Sequence, residues 1–253
     1  MYAEERQQHI LDHAHAAGRV EVNTLAEALD VTPETVRRDL TILARHGVLR
    51  RVHGGAIPVE RLGFEPGVET RSERYVAEKE RIAKAALAHL PDEGTVLLDA
   101  GTTTLRLAER LPQERELTIV TNSLAIAVLV AQQPNLSLYL LGGRVRGRTL
   151  AAVGSWVTNA LQDVFVDVAF IGTNGLSVTR GLSTPDQSEA AAKRAMIRAA
   201  RRNVVLTDHT KIGVDHFSHF ADLSDIAAVI TDSGLDPETA TEIEALGPEV
   251  VLA

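Results

Sequence analysis

Two groups of residues in this sequence have types and spacings suited to chemistry. Between Arg37 and His53, five arginines (Arg37, Arg38, Arg45, Arg50, Arg51) stand against Asp39 alone, a local balance of 5 − 1 = +4. Guanidiniums at this density either grip a polyanion or decorate a well-solvated helix and turn. The second group is a series of small and polar clusters, each closing an apolar run. They are Asp99-Ala100-Gly101-Thr102-Thr103-Thr104, Thr121-Asn122-Ser123, Gly142-Gly143-Arg144, Gly172-Thr173-Asn174-Gly175 and Thr207-Asp208. Hydroxyls, amides and side-chain-free backbone can hold a small anion, although each cluster alone also suits an ordinary strand-to-helix turn.

Other candidates are weaker. His9 and His13 are four residues apart and His216 and His219 three, but neither pair has a third ligand at suitable spacing, so no metal site is expected. Cysteine is absent, which excludes disulfides, thiol catalysis and Cys-based zinc sites. AGTTT is not a GxxxxGK[ST] loop, so ATP hydrolysis is not expected, and no cofactor is implied.

The elements that must position these residues follow from composition and periodicity. With 45% hydrophobic and 24% charged residues, the 253-residue chain reads as an ordinary globular protein. No apolar run approaches the ~20 residues that span a bilayer, and MYAEERQQHI is charged rather than signal-like. The expected location is the cytoplasm, with no membrane partner. Net charge is 26 − 34 = −8; residues 1–56 contribute 7 − 8 = −1 and residues 57–253 contribute 19 − 26 = −7. A basic patch on an acidic body suits a protein that meets DNA with one surface and repels it elsewhere.

In residues 1–56, Ile10, Leu11, Ala14 and Ala17 have helical spacing and Gly18 ends the run. TLAEAL reads as a second helix with Asn23 or Thr24 as cap. A third opens with Thr32 as cap, Pro33 at its first position and Glu34 in its first turn. On a wheel of about 100° per residue, Val36, Leu40 and Leu43 form one stripe, while Glu34, Arg37, Arg38, Thr41 and Arg45 point away and only Asp39 does not. With Thr32 and Thr35 at the start of that helix, this is the geometry of a recognition helix lying in the major groove. Gly47 stops it, and VLRRV reads as a strand turning at Gly54-Gly55, half of a wing whose Arg50, Arg51 and His53 would touch backbone phosphates.

TPETVRRDLTIL followed by GVLRRVHGGA resembles the winged helix-turn-helix of the DeoR family of bacterial transcriptional regulators. Residues 57–76, with Pro58, Gly63, Pro66 and Gly67, read as a linker. Beyond it, TVLLDA, LTIVT, LSLYLLG, VDVAFIG, NVVLT, AAVIT and EVVL read as strands, and helices are expected near Leu105, Leu124, Trp156, Gln187 and Pro237. The alternation implies a mainly parallel sheet covered on both faces, with ligands beyond its carboxyl ends. Trp156 and the phenylalanines read as core.

KERIAKAALAHLPDEGTVLLDAGTTT, VTNSLAIAVL, LLGGRVR, FIGTNGLS, EAAAKRAM and LTDHTKIG resemble the DeoR-type effector domain, whose fold is similar to that of ribose-5-phosphate isomerase. The expected fold class is therefore α/β: a winged helix-turn-helix over 1–56, a linker over 57–76, and a sensing and oligomerisation domain over 77–253. By resemblance the partners are operator DNA, a phosphorylated sugar and further copies of the chain, at least a homodimer. The resemblance puts phosphate on Gly101, Thr102, Thr103 and Thr104. It lines the sugar with Asp99, Asn122 and the adjacent Ser123, Gly143, Arg144, Asn174, Glu189 and Lys211. MYAEERQQ and RRVHGGAIP look most like regulators of fructose utilisation, which implies a repressor released by fructose 1-phosphate; glycerol 3-phosphate or another sugar phosphate stays open.

Because the fold is shared with enzymes, Glu189 and Lys211 also admit a catalytic reading, as base and enediolate stabiliser. Against it stands a surface ion pair between Glu189 and Lys193 and a simple turn at Asp208–Lys211. Isomerases of this shape carry an acidic GADE-like loop, whereas GTNGLSVTRG has no carboxylate. Sensing is favoured over turnover, and no catalytic residue is assigned. A DNA-bound protein without a ligand is the third possibility, and the crowded strand ends argue against it.

Overall fold

The computed structural model describes residues 3–17, 19–46, 48–52, 54–58 and 67–253. The chain forms two compact units, Met1–Phe64 and Glu65–Ala253.

The first unit comprises α1 (Ala3–Ala17), β1 (Val20–Glu21), α2 (Val22–Ala28), α3 (Pro33–Arg45), β2 (Leu49–Val52) and β3 (Gly55–Pro58). The strands form an antiparallel sheet in the order β1-β3-β2. The apolar stripe of α3, Val36, Leu40 and Leu43, packs with Ile10, Leu25 and Leu49 in one core. Thr32 caps α3, its hydroxyl accepting from the Thr35 amide at 3.2 Å.

The start of α2 differs from the expectation: it begins at Val22 after Glu21, not after Asn23 or Thr24. The Val22 amide donates to the Gly54 carbonyl at 2.9 Å, so a bond to the hairpin turn takes the place of a side-chain cap. Asp39, turned toward the core, is 2% exposed. Its carboxylate accepts from Arg6 Nε (2.6 Å), Arg6 Nη2 (3.3 Å) and Gln7 Nε2 (3.0 Å), pinning α1 to α3. Gly47 and His53 lie outside the described residues.

The second unit opens with α4 (Val68–Glu73) and α5 (Val76–Ala86), followed by β4 (Gly94–Leu98), α6 (Thr102–Ala108), β5 (Leu117–Thr121), α7 (Leu124–Val130) and β6 (Leu136–Leu140). A hairpin of β7 (Arg144–Arg146) and β8 (Ala151–Val153) precedes α8 (Ser155–Ala160) and β9 (Val166–Gly172). Next come β10 (Gly175–Ser177), β11 (Gly181–Thr184), α9 (Gln187–Ala199), β12 (Ala200–Leu206) and β13 (Ser218–Ala221). The chain ends with β14 (Ala228–Thr231), α10 (Pro237–Glu244) and β15 (Glu249–Leu252).

The runs expected as strands make one parallel seven-stranded sheet, ordered β15-β14-β12-β9-β4-β5-β6. Val96, Leu98, Ile119, Phe170, Val204, Leu206 and Ile230 face one side and share a core with Ile82 of α5, Leu107 of α6 and Ile126 of α7. Leu97, Val120, Ile171, Val205 and Val229 face the other, with Val157 of α8, Met196 of α9 and Ile243 of α10. Burial on both faces is why these strands read as continuous apolar runs instead of alternating ones.

Three features depart from the expectations. The span 57–76 holds the end of β3 and all of α4; α4 is fixed by tertiary bonds, including the Val68 amide to the Arg148 carbonyl at 2.9 Å. The polar segments after β9 and β6 fold into the antiparallel sheet β10-β11-β13 and the β7–β8 hairpin. Trp156, Phe165 and Phe217 are 76%, 83% and 58% exposed, not core; Trp156 lies on the outer face of α8, which turns Val157 inward.

Candidate functional site

Sheet order reverses at β4. The chain runs from β4 through β5 to β6 on one side, then returns to β9, β12, β14 and β15 on the other. At such a switch point adjacent connections diverge to opposite faces and open a crevice beyond the carboxyl ends. A small, partly open polar cavity of about 20 Å³ lies there. Its walls come from the turn after β4, the Thr173-Asn174 turn after β9, Glu189 and Lys193 of α9, Lys211 and Arg71.

α6 begins at Thr102, ahead of the expected start near Leu105, so the three threonines form its first turn. They divide the work. Thr104 is fully buried, and its hydroxyl donates to the carbonyls of Asp99 (2.6 Å) and Gly101 (3.0 Å), stapling the turn. A Cβ on Gly101 would sit 3.0 Å from that hydroxyl, so glycine leaves the staple its space. Thr102 and Thr103 are 6% and 3% exposed, line the cavity, and make no side-chain hydrogen bond among the described residues. Hydroxyls that line a cavity without protein partners are open to a bound acceptor.

Beneath the cavity, Lys193 Nζ donates to Asp99 Oδ2 and to the Gly172 carbonyl (2.8 Å), and Asp99 Oδ2 also accepts from the Gly172 amide (3.0 Å). Burial pushes the Asp99 carboxyl upward while Lys193 pulls it down. The expected surface pair of Glu189 with Lys193 is overturned: both are buried and each has other partners. Glu189 Oε1 accepts from Arg146 Nη1 (2.5 Å) and Thr149 Oγ1 (2.6 Å), and Oε2 from Thr184 Oγ1 (3.4 Å).

Lys211 Nζ lies 3.3 Å from Asp208 Oδ2. Burial alone would raise the Asp208 carboxyl, but Lys211, the Thr210 hydroxyl and Lys79 outweigh it and hold it below the usual carboxylate range. The Lys79 ammonium, on α5, is pushed down to about 8 by burial and then by the proximity of Lys211.

Of the residues expected around a ligand, the fold brings together Gly101, Thr102, Thr103, Thr104, Asn174, Glu189 and Lys211 at this cavity. The others have structural work. Asp99 is buried below in its ion pair. Asn122 is buried behind the turn, accepting from the Ala100 amide (3.0 Å) and donating to the Ala152 carbonyl (3.0 Å). Ser123 caps α7 through the Ile126 amide.

Gly143 and Arg144 border a separate cleft beside Trp156. Gly143 has φ +149°, and a Cβ there would meet the Val153 carbonyl at 2.9 Å. The exposed Arg144 donates to Ser188 Oγ at 3.3 Å, and Arg146 is the arginine that turns inward. Sequence reasoning missed Arg71 and Thr149 and misplaced Lys193, while Thr173 belongs to one of the strand-end clusters it singled out. Arg71 was hidden by the linker-like composition around it, and no periodic signal marks Thr149.

On the first unit, Glu34, Arg37, Arg38 and Arg45 are exposed on α3, with Thr35 and Thr41 half-buried beside them. Arg37 Nη1 pairs with Glu34 at 2.8 Å; Arg38 and Arg45 have no ion-pair partner among the described residues. Arg50 lies on β2. Arg51 does not stand off the hairpin: its Nη1 donates to the Arg37 carbonyl (3.1 Å) and Thr41 Oγ1 (2.9 Å), fastening β2 to α3. Among the described residues no helix is long and apolar enough to cross a membrane.

Comparison with known proteins places this geometry. Residues 6–61 match the DeoR-like helix-turn-helix domain and residues 74–233 the DeoR C terminal sensor domain. The chain is 35% identical over 251 residues to the HTH-type transcriptional regulator GlpR of Haloferax volcanii, covering 99% of this chain and 98% of that one. It is also 35% identical over 234 residues to the uncharacterized HTH-type transcriptional regulator FruR of Bacillus subtilis, covering 92% of each. Among solved structures, ribose 5-phosphate isomerase A of Methanocaldococcus jannaschii is 20% identical, with a TM-score of 0.40 over 53% of each chain.

Proposed function

This chain belongs to the DeoR family of DNA-binding transcriptional regulators, and we propose that it is a cytoplasmic repressor of sugar-catabolism genes released by a phosphorylated sugar. It is a regulator and not an enzyme, and operator DNA is its partner. On the DNA side we assign base or phosphate contacts to Arg37, Arg38 and Arg45 on the open face of α3. One helix-turn-helix spans few base pairs, so the operator would carry paired half-sites read by a homo-oligomer with two-fold symmetry.

The observation that carries the effector reading is the pair of cavity-lining Thr102 and Thr103 hydroxyls, which make no hydrogen bond among the described residues, beside Lys211 at the switch point of the sheet. Hydroxyl donors and an ammonium are the equipment for a phosphate, and a dianion makes charge-assisted bonds with both. One ammonium beside the threonines matches a single phosphate, which favours a monophosphate. Fructose 1-phosphate is the first candidate, in keeping with a relative bearing the name FruR. Release follows if the effector prefers a state of the protein that fits the operator poorly.

The test is calorimetry of the full chain with fructose 1-phosphate, glycerol 3-phosphate and other sugar monophosphates, paired with operator titrations with and without each. Binding together with weakened operator affinity is expected. A panel that neither binds nor changes operator affinity sinks the sensor reading.

A further inference from the structure

We infer that Arg71 is an effector-binding residue and that α4, which carries it, transmits occupancy of the cavity to the chain leading into the DNA-binding unit; this rests on the effector reading above. Arg71 lines the same cavity as Thr102, Thr103 and Lys211. Yet it lies between the two family-domain matches, which end at residue 61 and resume at residue 74, within the span whose composition reads as a linker. A wall of the site is therefore supplied by the connecting segment. Lys211 is already paired with Asp208, so a phosphate dianion held by Lys211 alone would keep net negative charge. Arg71 brings a second cation with a planar N–H fork to the same wall.

The placement of Arg71 is built into the fold. From beneath, the buried Lys79 ammonium donates to the carbonyls of Arg71 and Arg74, the latter at 2.7 Å, and so holds the end of α4. At the other end the Val68 amide is bound to the Arg148 carbonyl, and Ser72 Oγ donates to the Val68 carbonyl at 2.8 Å. The corner into α5 turns at Tyr75, a left-handed residue with φ +52°, whose ring meets the His209 ring edge-on at 5.9 Å. His209 is held by Asp232 through its amide (2.9 Å) and Nδ1 (2.7 Å), and it opens the short turn that ends at Lys211. The two cations thus ride on segments braced against each other at Tyr75 and His209. A dianion between them acts on both segments, and α4 begins just past the division of the units at Phe64–Glu65. Whatever preference the effector has between positions of α4 sets the size of the coupling.

The experiment compares the full-length wild type with Arg71→Ala, Arg71→Lys and Thr103→Val. Fructose 1-phosphate and inorganic phosphate serve as calorimetric probes, and operator titrations are run without effector and at effector concentrations saturating each variant. Lys79 holds the backbone of residue 71, not its side chain, so Arg71→Ala should fold, and its circular dichroism should match wild type. Arg71→Ala is expected to weaken probe binding by about ten- to a hundredfold and to bring the effector's effect on operator affinity toward none even at saturation. Arg71→Lys should recover part of the probe affinity. Undiminished probe affinity in Arg71→Ala, or full coupling at saturation, overturns the inference while a binding loss in Thr103→Val leaves the effector reading standing. A wild type that binds neither probe nor any other sugar monophosphate removes the effector reading, and the inference with it.

Discussion

Adjacent threonines in the first turn of α6 should respond in opposite ways to the same substitution. Valine replaces a hydroxyl with a methyl of nearly the same shape. In Thr103→Val no intraprotein hydrogen bond is lost, since the Thr103 hydroxyl makes none among the described residues although it is only 3% exposed. Stability should therefore stay within about 0.5–1 kcal/mol of wild type. Effector binding should lose a charge-assisted bond of about 1.5–3 kcal/mol, roughly ten- to a hundredfold in Kd.

In Thr104→Val the donor to the Asp99 carbonyl at 2.6 Å disappears, while the Gly101 carbonyl still receives the Leu105 amide at 3.0 Å. One buried carbonyl loses its partner at a cost of about 1–3 kcal/mol, and effector affinity falls only as far as the turn loosens. Thermal denaturation and calorimetry with fructose 1-phosphate on both variants make the comparison. If Thr103→Val destabilises as much as Thr104→Val and leaves effector affinity intact, the Thr103 hydroxyl is structural and the reasoning about partnerless donors is wrong.

Asp39→Asn should cost the first unit about 2–4 kcal/mol, because it leaves the half-buried Arg6 guanidinium without its counter-charge; operator binding should weaken on warming while effector calorimetry stays unchanged. Lys79 has a folded pKa of about 8, below its unfolded value, so its penalty is complete below about pH 8 and is relieved as pH rises toward the ordinary lysine range. The stability of the second unit should climb by at most roughly 3 kcal/mol across that window, and chemical denaturation of Lys79→Met should show the climb flattened. Oligomerisation is expected to use the second unit, where Trp156 and Phe165 are the most exposed large apolar side chains. Phe165→Asp should shift the light-scattering mass toward the 27.3 kDa single chain, and a wild type already at that mass with and without operator contradicts the assembly.

The parts of the fold that could be read in the sequence are those whose physics is local or periodic. Strands buried on both faces announce themselves as runs such as VDVAFIG, and α3 by a capping threonine, a proline and a single stripe of three apolar residues. The same periodicity shows where a strand ends but not how each polar residue there is used. Asn122 and Ser123 close their own turns, while Thr102 and Thr103 nearby are left open, and only three-dimensional bonding separates them. Arg71 was illegible for a different reason. Proline and glycine around residues 58–67 signal interruption, and the bonds that make α4 a helix come from Lys79 and Arg148 elsewhere in the chain. Trp156 shows the reverse error, in which an apolar side chain was assumed to follow its chemistry inward.

The bonding pattern also bears on why a fold with enzyme-like carboxylates and lysines suits sensing. A general base must bring a free lone pair to the reacting proton, and a stabilising lysine must direct its charge at the developing oxyanion. Here Glu189 Oε1 already accepts from Arg146 and Thr149, Glu189 Oε2 lies 3.4 Å from the Thr184 hydroxyl, and Lys193 spends its charge on Asp99 and the Gly172 carbonyl. The threonine hydroxyls that line the cavity bind an anion well and transfer protons poorly at neutral pH. Internal pairing holds Glu189, Asp99 and Lys193 to other parts of the scaffold. Restoring a base should therefore require more than one substitution. Arg146→Gln alone, which frees one donor from Glu189, is expected to change effector affinity and produce no isomerase turnover in a product assay. Measurable turnover in that single variant would mean that the pairing with Arg146 was the principal barrier to catalysis.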